Sequence, residues 1–368
     1  MDVDDLVRLA LDHHRLVQGE DGHAYAVPHC GPPIAYRIAP SPREGLPPRL
    51  TALALDTYGR PARPGALKAA LAVLRYLAED GAPEPVGHRV ARVGEGRLAL
   101  DLGRSDGACV VVGPAVWQVE DVAPVPFRRT VLTGELPLPK RGGTLDELRQ
   151  LANVEAPEAW RSLLGWLVAA LFADIGHPVL RLAAPAGGGK SWAGRLLVGL
   201  VDPSPVPLRT APRNTRAWAT SAGASWVVGL DALDGRSAWL ADVLAHAVDG
   251  SGIIRAPAGR ADVDDVSVLT LRRVVLVTST QGGALAERLG GRLVTVQLAP
   301  MTPARRSGEA ATWSTYERAL PRLLGALLDL AATVLALLPI VEARDVAGPC
   351  IDFARILAAI DALGVATS

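Results

Sequence analysis

A chain of 368 residues has room for two or three separate cores. Hydrophobic content of 49% with 21% charged residues describes a globular protein and excludes a disordered one. Basic and acidic residues balance at 38 each, which excludes a global field drawing in nucleic acid or membrane, so any nucleic-acid contact must come from a local arginine patch. Cys30, Cys109 and Cys350 stand far apart with no paired spacing, which points to a reducing compartment and away from a disulfide framework or zinc ribbon. The acidic start Met1–Asp5 is the opposite of a signal peptide. Leu163–Ala173 is too short to span a bilayer and Leu323–Ile340 is interrupted by Asp329, so the expected location is the cytoplasm.

In chain order, Asp2 to Leu16 carries apolar residues at helical spacing. Proline and glycine crowd residues 31–64, which predicts loops and short strands, and Pro64–Glu79 reads as a helix with Leu67, Leu71 and Leu74 on one face. His13, His14, His23, His29 and Cys30 lack any recognised ligand spacing, so surface and turn histidines account for them better than a metal site. From His88 to Val125 apolar residues alternate around polar ones, predicting a small antiparallel β unit. Residues 124–143 are proline-rich and read equally well as a linker or as an ordered arm against the next domain. Thr144 with Glu147 has the form of a capping box, and Pro157–Ala173 is apolar nearly all round, as a buried helix would be.

The stretch that follows carries chemistry. An apolar run ends in Ala184-Pro-Ala-Gly-Gly-Gly-Lys190-Ser191, and an amphipathic stretch begins at Trp192. Strand, glycine-rich loop and helix make the context of a phosphate-binding loop. Gly187, Gly188 and Gly189 let backbone N–H groups turn inward around phosphate oxygens, and the helix start adds its own N–H groups. Lys190 would reach the β- and γ-phosphates of ATP and Ser191 would give a hydroxyl to Mg²⁺; Ala184, Ala186 and Trp192 complete the binding segment. Ala184 stands where a first glycine is usual, a departure that matters only if its φ is positive. The chain has only three lysines (Lys68, Lys140, Lys190), so lysine is not used casually.

Alternating strands and helices continue to residue 298, with continuous apolar runs that predict a parallel sheet covered on both faces. Ser225–Asp231 reads as a buried strand ending in a carboxylate that would hold Mg²⁺, 41 residues after Lys190 (231 − 190). The next position, where a hydrolytic acid is usual, is Ala232; Asp234 would polarise water only if the turn folds it back, so slow hydrolysis is expected. The strand at 273–279 leads into Thr278, Ser279 and Thr280, candidates for sensing a γ-phosphate. Arg292 opens the last strand and suits an arginine finger reaching a neighbouring subunit. Between the core strands a hairpin over 252–270 places Arg255 and Arg260 toward its tip, where they suit a phosphate backbone rather than sequence readout. Residues 312–365 read as helical.

This order of features resembles superfamily 3 helicases, and most closely the phage- and plasmid-type primase-helicase ATPases of the AAA+ class. The whole chain is also similar to actinobacterial "ATP-binding proteins" of phages and integrative elements, through Val122–Thr130, Gly165–Leu171, Val198–Pro205, Ser225–Asp231 and Asp352–Ala354. The resemblance to the helicases covers roughly residues 145–300 and implies an α/β P-loop AAA+ core with a parallel sheet there; the patterning sets a small α+β domain before it and helices after it. The corresponding divisions are an accessory domain 1–143, an ATPase core 144–300 and a C-terminal helical region 301–368. It further implies ATP and Mg²⁺ as cofactors, a hexameric ring acting on DNA during replication of a mobile element, and a separate priming partner. Ala184, Ala232, Ser251 and Ala256–Ala258 depart from the family pattern. A nucleotide-gated assembly module that turns over little ATP is the rival reading, favoured by Ala232; a small-molecule kinase is disfavoured by the long hairpin and the missing lid arginines.

Overall fold

A computed structural model describes residues 1–39, 41, 43–233, 237–255, 267–280, 283–300, 309–341 and 350–364. They fall into two compact units: Met1–Glu95 with Ala99–Val111 and Val119–Val131, and Gly96–Leu98 with Val112–Gln118 and Leu132–Ser368.

The first unit opens with α1 (Val3–His13), where Asp2 and Asp5 cap each other's backbone reciprocally. The apolar spacing predicts helix as far as Leu16, but the chain turns at His14 into β1 (His14–Gly19). The last-turn carbonyls of Leu9, Ala10 and Leu11 accept ring N–H groups of His13, His14 and His29 at 2.9–3.1 Å, so the imidazoles end the helix. Strand β2 (Ala24–Pro28) pairs antiparallel with β1 and with β3 (Tyr36–Arg37). The proline-rich stretch expected as loop contains α2 (Leu46–Tyr58). Its prolines, Pro47 and Pro48, fall in the first turn, where a missing N–H costs nothing, and Gly59 at φ 68° ends it. Helix α3 (Pro64–Glu79) has the predicted boundaries, and β4 (Pro83–Glu84) adds parallel to β1. Leu6, Leu46, Leu50 and Leu74 are fully buried between helices and sheet. The alternating segment forms β5 (Val90–Arg92), β6 (Leu98–Asp101), β7 (Cys109–Gly113) and β8 (Val116–Glu120), ordered in the sheet as in the chain, with Leu98, Val112, Gly113 and Val116–Gln118 counted in the second unit.

In the second unit, residues 132–143 are an ordered arm. Gly134 N–H donates to Pro203 O (2.7 Å) and Lys140 N–H to Pro321 O (2.8 Å). Helix α4 (Asp146–Leu151) starts without the expected capping box: Thr144 Oγ1 accepts from Asp146 N at 3.2 Å and donates to the Asp146 carboxylate at 2.7 Å instead. Helix α5 (Pro157–Ala169) is buried from Leu163 to Ala169, as its all-round apolar character requires.

The central sheet then builds from β9 (Val179–Ala183), α6 (Lys190–Val201), β10 (Leu208–Arg209), α7 (Thr215–Gly223), β11 (Val227–Leu230) and α8 (Ala238–Asp249). A hairpin of β12 (Gly252–Arg255) and β13 (Ser267–Thr270) precedes β14 (Val274–Ser279), α9 (Gly283–Leu289) and β15 (Leu293–Gln297). The five-stranded sheet runs β10-β11-β14-β9-β15, every neighbour parallel. Helices lie on both faces, and the unit closes with α10 (Glu309–Leu337) and α11 (Ile351–Ala362). This is the mixed α/β core with a helical C-terminal region that the motif order predicts. Residues Ala310–Leu337 are long and apolar enough to cross a membrane by length and composition, yet 61% of their most apolar window is buried inside the protein. Asp329, which interrupts that run, accepts from the Trp117 indole at 2.7 Å.

Candidate functional site

In a parallel sheet all strand ends of one kind lie along one edge, and crevices for ligands open beyond the C-terminal edge. The glycine-rich loop leaves β9 there, Asp231 follows β11, and Thr278 and Ser279 end β14. Because β14 lies between β9 and β11, Thr278 is bracketed by the loop and the carboxylate.

The loop has the backbone its glycines predict. Gly187 (φ 71°) and Gly189 (φ 79°) are left-handed, whereas Ala184 is not among the residues with positive φ, so alanine carries no strain there. A Cβ on Gly188 would fall 2.6 Å from Ala184 Cβ and 2.9 Å from Pro185 O. Lys190 opens α6 and is 9% exposed, its ammonium donating to Ala184 O (2.9 Å) and Pro185 O (2.8 Å). Burial lowers its pKa and the nearby Asp231 opposes that shift.

Three predicted residues converge. Ser191 Oγ donates to Asp231 Oδ1 at 2.8 Å, and Thr278 Oγ1 donates to the same oxygen at 2.5 Å. Thr278 Oγ1 also accepts from Ala232 N–H (2.9 Å), and Thr278 O accepts from Leu233 N–H (2.8 Å). The turn after Asp231 is thereby clamped to the end of β14, with Ala232 at φ 53°, a left-handed conformation that alanine rarely takes. Of the other two hydroxyls, Ser279 Oγ accepts from Arg181 Nε at 2.9 Å and Thr280 is exposed.

The loop forms one wall of a cleft of about 560 Å³, within the range of small-molecule sites. The opposite wall is Glu147, Gln150 and Leu151 of α4, Asn153, and Thr312 and Thr315 of α10. Sequence reasoning missed this wall. Trp192 donates to Leu151 O (3.2 Å) and meets Trp313 edge to face at 5.7 Å; Tyr316, next to Trp313, donates to Leu196 O (2.8 Å). Aromatic residues make up only 4% of the chain, so Trp313 and Tyr316 were the available signal that α10 docks beside the loop.

Arg292 lies elsewhere. It precedes β15, whose Leu293 pairs with Val179 at the start of β9, so it sits at the sheet edge opposite the loop. A five-residue strand spans roughly 16 Å, which removes Arg292 from its own chain's loop. It holds Asp249 in a bidentate pair at 2.9–3.1 Å, and these hydrogen bonds raise its pKa. Asp234 and Arg260 lie outside the described residues; Arg255 ends β12, and its side chain is likewise outside the description. Among the described residues no cluster of three or more His, Cys, Asp or Glu forms a metal cage. The Ser191 hydroxyl and the Asp231 carboxylate share one hydrogen bond, an all-oxygen pair of the hard kind that Mg²⁺ takes when phosphates and water supply its other ligands.

The sequence profile of a family described as actinomycete integrative conjugative element replication protein matches residues 145–367, well over half of the chain. No curated protein matches. Among solved structures, the chain is similar to one described as SCCmec type IV Cch, active helicase (14% identity, TM-score 0.46, covering 94% of this chain and 68% of that one). It is similar also to the C-terminal region of NrS-1 (8%, 0.43, 89% and 69%) and to JCV helicase (11%, 0.28, 60% and 65%).

Proposed function

The chain belongs to the family of actinomycete integrative conjugative element replication proteins, and from that premise we propose that it is a helicase-like, DNA-dependent ATPase of the AAA+ superfamily 3 type. The observation that carries the reading is the convergence of Lys190, Ser191, Asp231 and Thr278 at one sheet edge, beside a cleft large enough for a nucleotide.

In this reading the N–H groups of Ala186 to Ser191 and the start of α6 cradle the phosphates, and Trp192 borders the base end of the cleft. Lys190 exchanges its two loop carbonyls for phosphate oxygens. Mg²⁺ would be held by Ser191 and, through water, by Asp231, and when bound it would neutralise phosphate charge. Thr278 holds the Asp231 carboxylate in place; Asp234 is the remaining candidate for orienting water. Arg292 serves a neighbouring copy's nucleotide, which suits a ring, six-membered as the resemblance implies. Arg255 and Arg260 of the hairpin contact the DNA backbone. The functional divisions are an accessory domain 1–143, the ATPase core 144–300 and the helical region 301–368, working in the cytoplasm with a separate priming partner.

Ala232 favours a second reading, a nucleotide-gated assembly module with little turnover. It puts a methyl group where a hydrolytic acid is usual, in a turn clamped by two hydrogen bonds to Thr278. Steady-state ATP hydrolysis with and without single-stranded DNA separates the two, with Lys190→Ala as control. Turnover that rises with DNA and vanishes in the variant is the expected result. Tight ATP binding with negligible turnover under every DNA condition overturns the motor and leaves the assembly module.

A further inference from the structure

The N-terminal unit holds a second recess, of about 200 Å³, whose lining includes Tyr36, Arg37, Ser41, Arg128 and Arg129, with Glu44 as the one carboxylate. Rigid elements bring these residues together. Arg37 ends β3, and Gly45, at the start of α2, packs so closely on the Arg37 carbonyl that no side chain fits there. Phe127 exchanges backbone hydrogen bonds with Ala35 (2.9 Å) and Pro33 (3.0 Å), which sets Arg128 and Arg129 beside β3. Both ends of the arginine set are oriented by partners behind them. Arg129 is held by Asp101 through bonds of 2.9 and 2.7 Å, and Arg37 donates to the His23 ring at 3.2 Å. A fourth guanidinium, that of Arg49, lies over the Tyr36 ring at 4.2 Å.

Three guanidinium groups line one half-buried recess, with Asp101 orienting Arg129 from behind, and an anion seated among them would accept charge-assisted hydrogen bonds from more than one fork. The space suits a phosphate group and is too small for a whole nucleotide. Guanidinium forks match phosphate oxygens bidentately. The chain's formal charge is zero, so attraction to DNA has to be concentrated in a local site of this kind. The geometry points to a pocket for one backbone phosphodiester of a DNA strand, in the unit that contains neither the phosphate loop nor the hairpin.

The test uses the full chain without nucleotide, so its outcome is independent of the phosphate-loop reading. Binding of a labelled single-stranded oligonucleotide is followed by anisotropy across a salt series. Arg37→Gln with Arg128→Gln is expected to weaken binding about ten-fold and to make the slope of log affinity against log salt shallower by about 1. Arg75→Gln, which removes one positive charge from the exposed face of α3, is expected to alter neither quantity, and ATP affinity is expected to be the same in all three proteins. Ser41→Asp, which sets a carboxylate in the lining without removing a packed group, is expected to weaken DNA binding alone and decides the matter if the double variant does not fold. The proposal is overturned by unchanged affinity and slope, or by an equal loss in Arg75→Gln. A loss of inorganic phosphate or ATP binding with DNA binding intact overturns it as well, because the pocket then serves a small anion.

Discussion

Replacing Thr278 by valine isolates the clamp at the centre of the candidate site. The side chains are similar in volume and Thr278 is 1% exposed, so the change removes a hydroxyl without opening a cavity that water could enter. Two hydrogen bonds disappear: the donation to Asp231 at 2.5 Å and the acceptance from Ala232 N–H at 2.9 Å. A hydrogen bond to a charged group contributes about 2 kcal/mol and an orphaned backbone N–H costs about 1 kcal/mol or more, so the expected loss is about 3 kcal/mol. In urea that lowers the unfolding midpoint by about 1 M for an m-value of about 3 kcal/mol per M. Thr278→Ser, which keeps the hydroxyl, should recover most of the loss. In a double-mutant cycle with Asp231→Ala the two changes should fall short of additivity by about 2 kcal/mol, since both remove the same bond. A loss under about 0.5 kcal/mol, or strict additivity, would refute the clamp and leave Thr278 as an ordinary strand-end hydroxyl.

Ala232→Gly relieves a left-handed alanine at φ 53° and should raise stability by about 1 kcal/mol, read as a higher urea midpoint with unchanged slope. Gly188→Ala sets a Cβ 2.6 Å from Ala184 Cβ and should weaken ATP binding about ten-fold by calorimetry. Gly187→Ala meets no atom within 4 Å and should cost only its backbone strain of about 1 kcal/mol, so equal effects of the two on ATP binding would contradict the loop geometry. His177 is fully buried, its ring on the carbonyls of Phe172 (2.8 Å) and Ala169 (3.1 Å), and burial pushes its pKa down to about 4. The folded value lies below the unfolded one of about 6.5, so the neutral ring's contribution is whole above pH 6.5 and is lost as pH falls toward 4. Unfolding free energy should drop by about 3 kcal/mol across that window, and His177→Gln should flatten this part of the pH profile.

The legible half of the site is the half that local chemistry builds. A loop that wraps phosphate needs its glycines, lysine and hydroxyl consecutive in the chain, so β9, the loop and the start of α6 could be placed from one stretch of sequence. Asp231 was legible for a related reason, since a buried apolar strand can end in a carboxylate only at a crevice or a cap. Choosing among Thr278, Ser279 and Thr280 required the register of β14 against both β9 and β11, which no local pattern encodes. The far wall of the cleft was hidden for a stronger reason: Thr312 and Thr315 stand more than 120 residues after Lys190, on a helix whose periodicity records only that one face is apolar. Ala232 inverts the usual lesson. Its identity, read alone, says that a carboxylate is missing; its φ says that the turn is forced into a conformation that alanine resists, by hydrogen bonds from a neighbouring strand. A glutamate grafted at that position would inherit the same left-handed backbone, so installing the usual hydrolytic acid by a single substitution would not by itself aim it at water. Ala232→Glu alone should therefore leave the hydrolysis rate close to that of the parent chain.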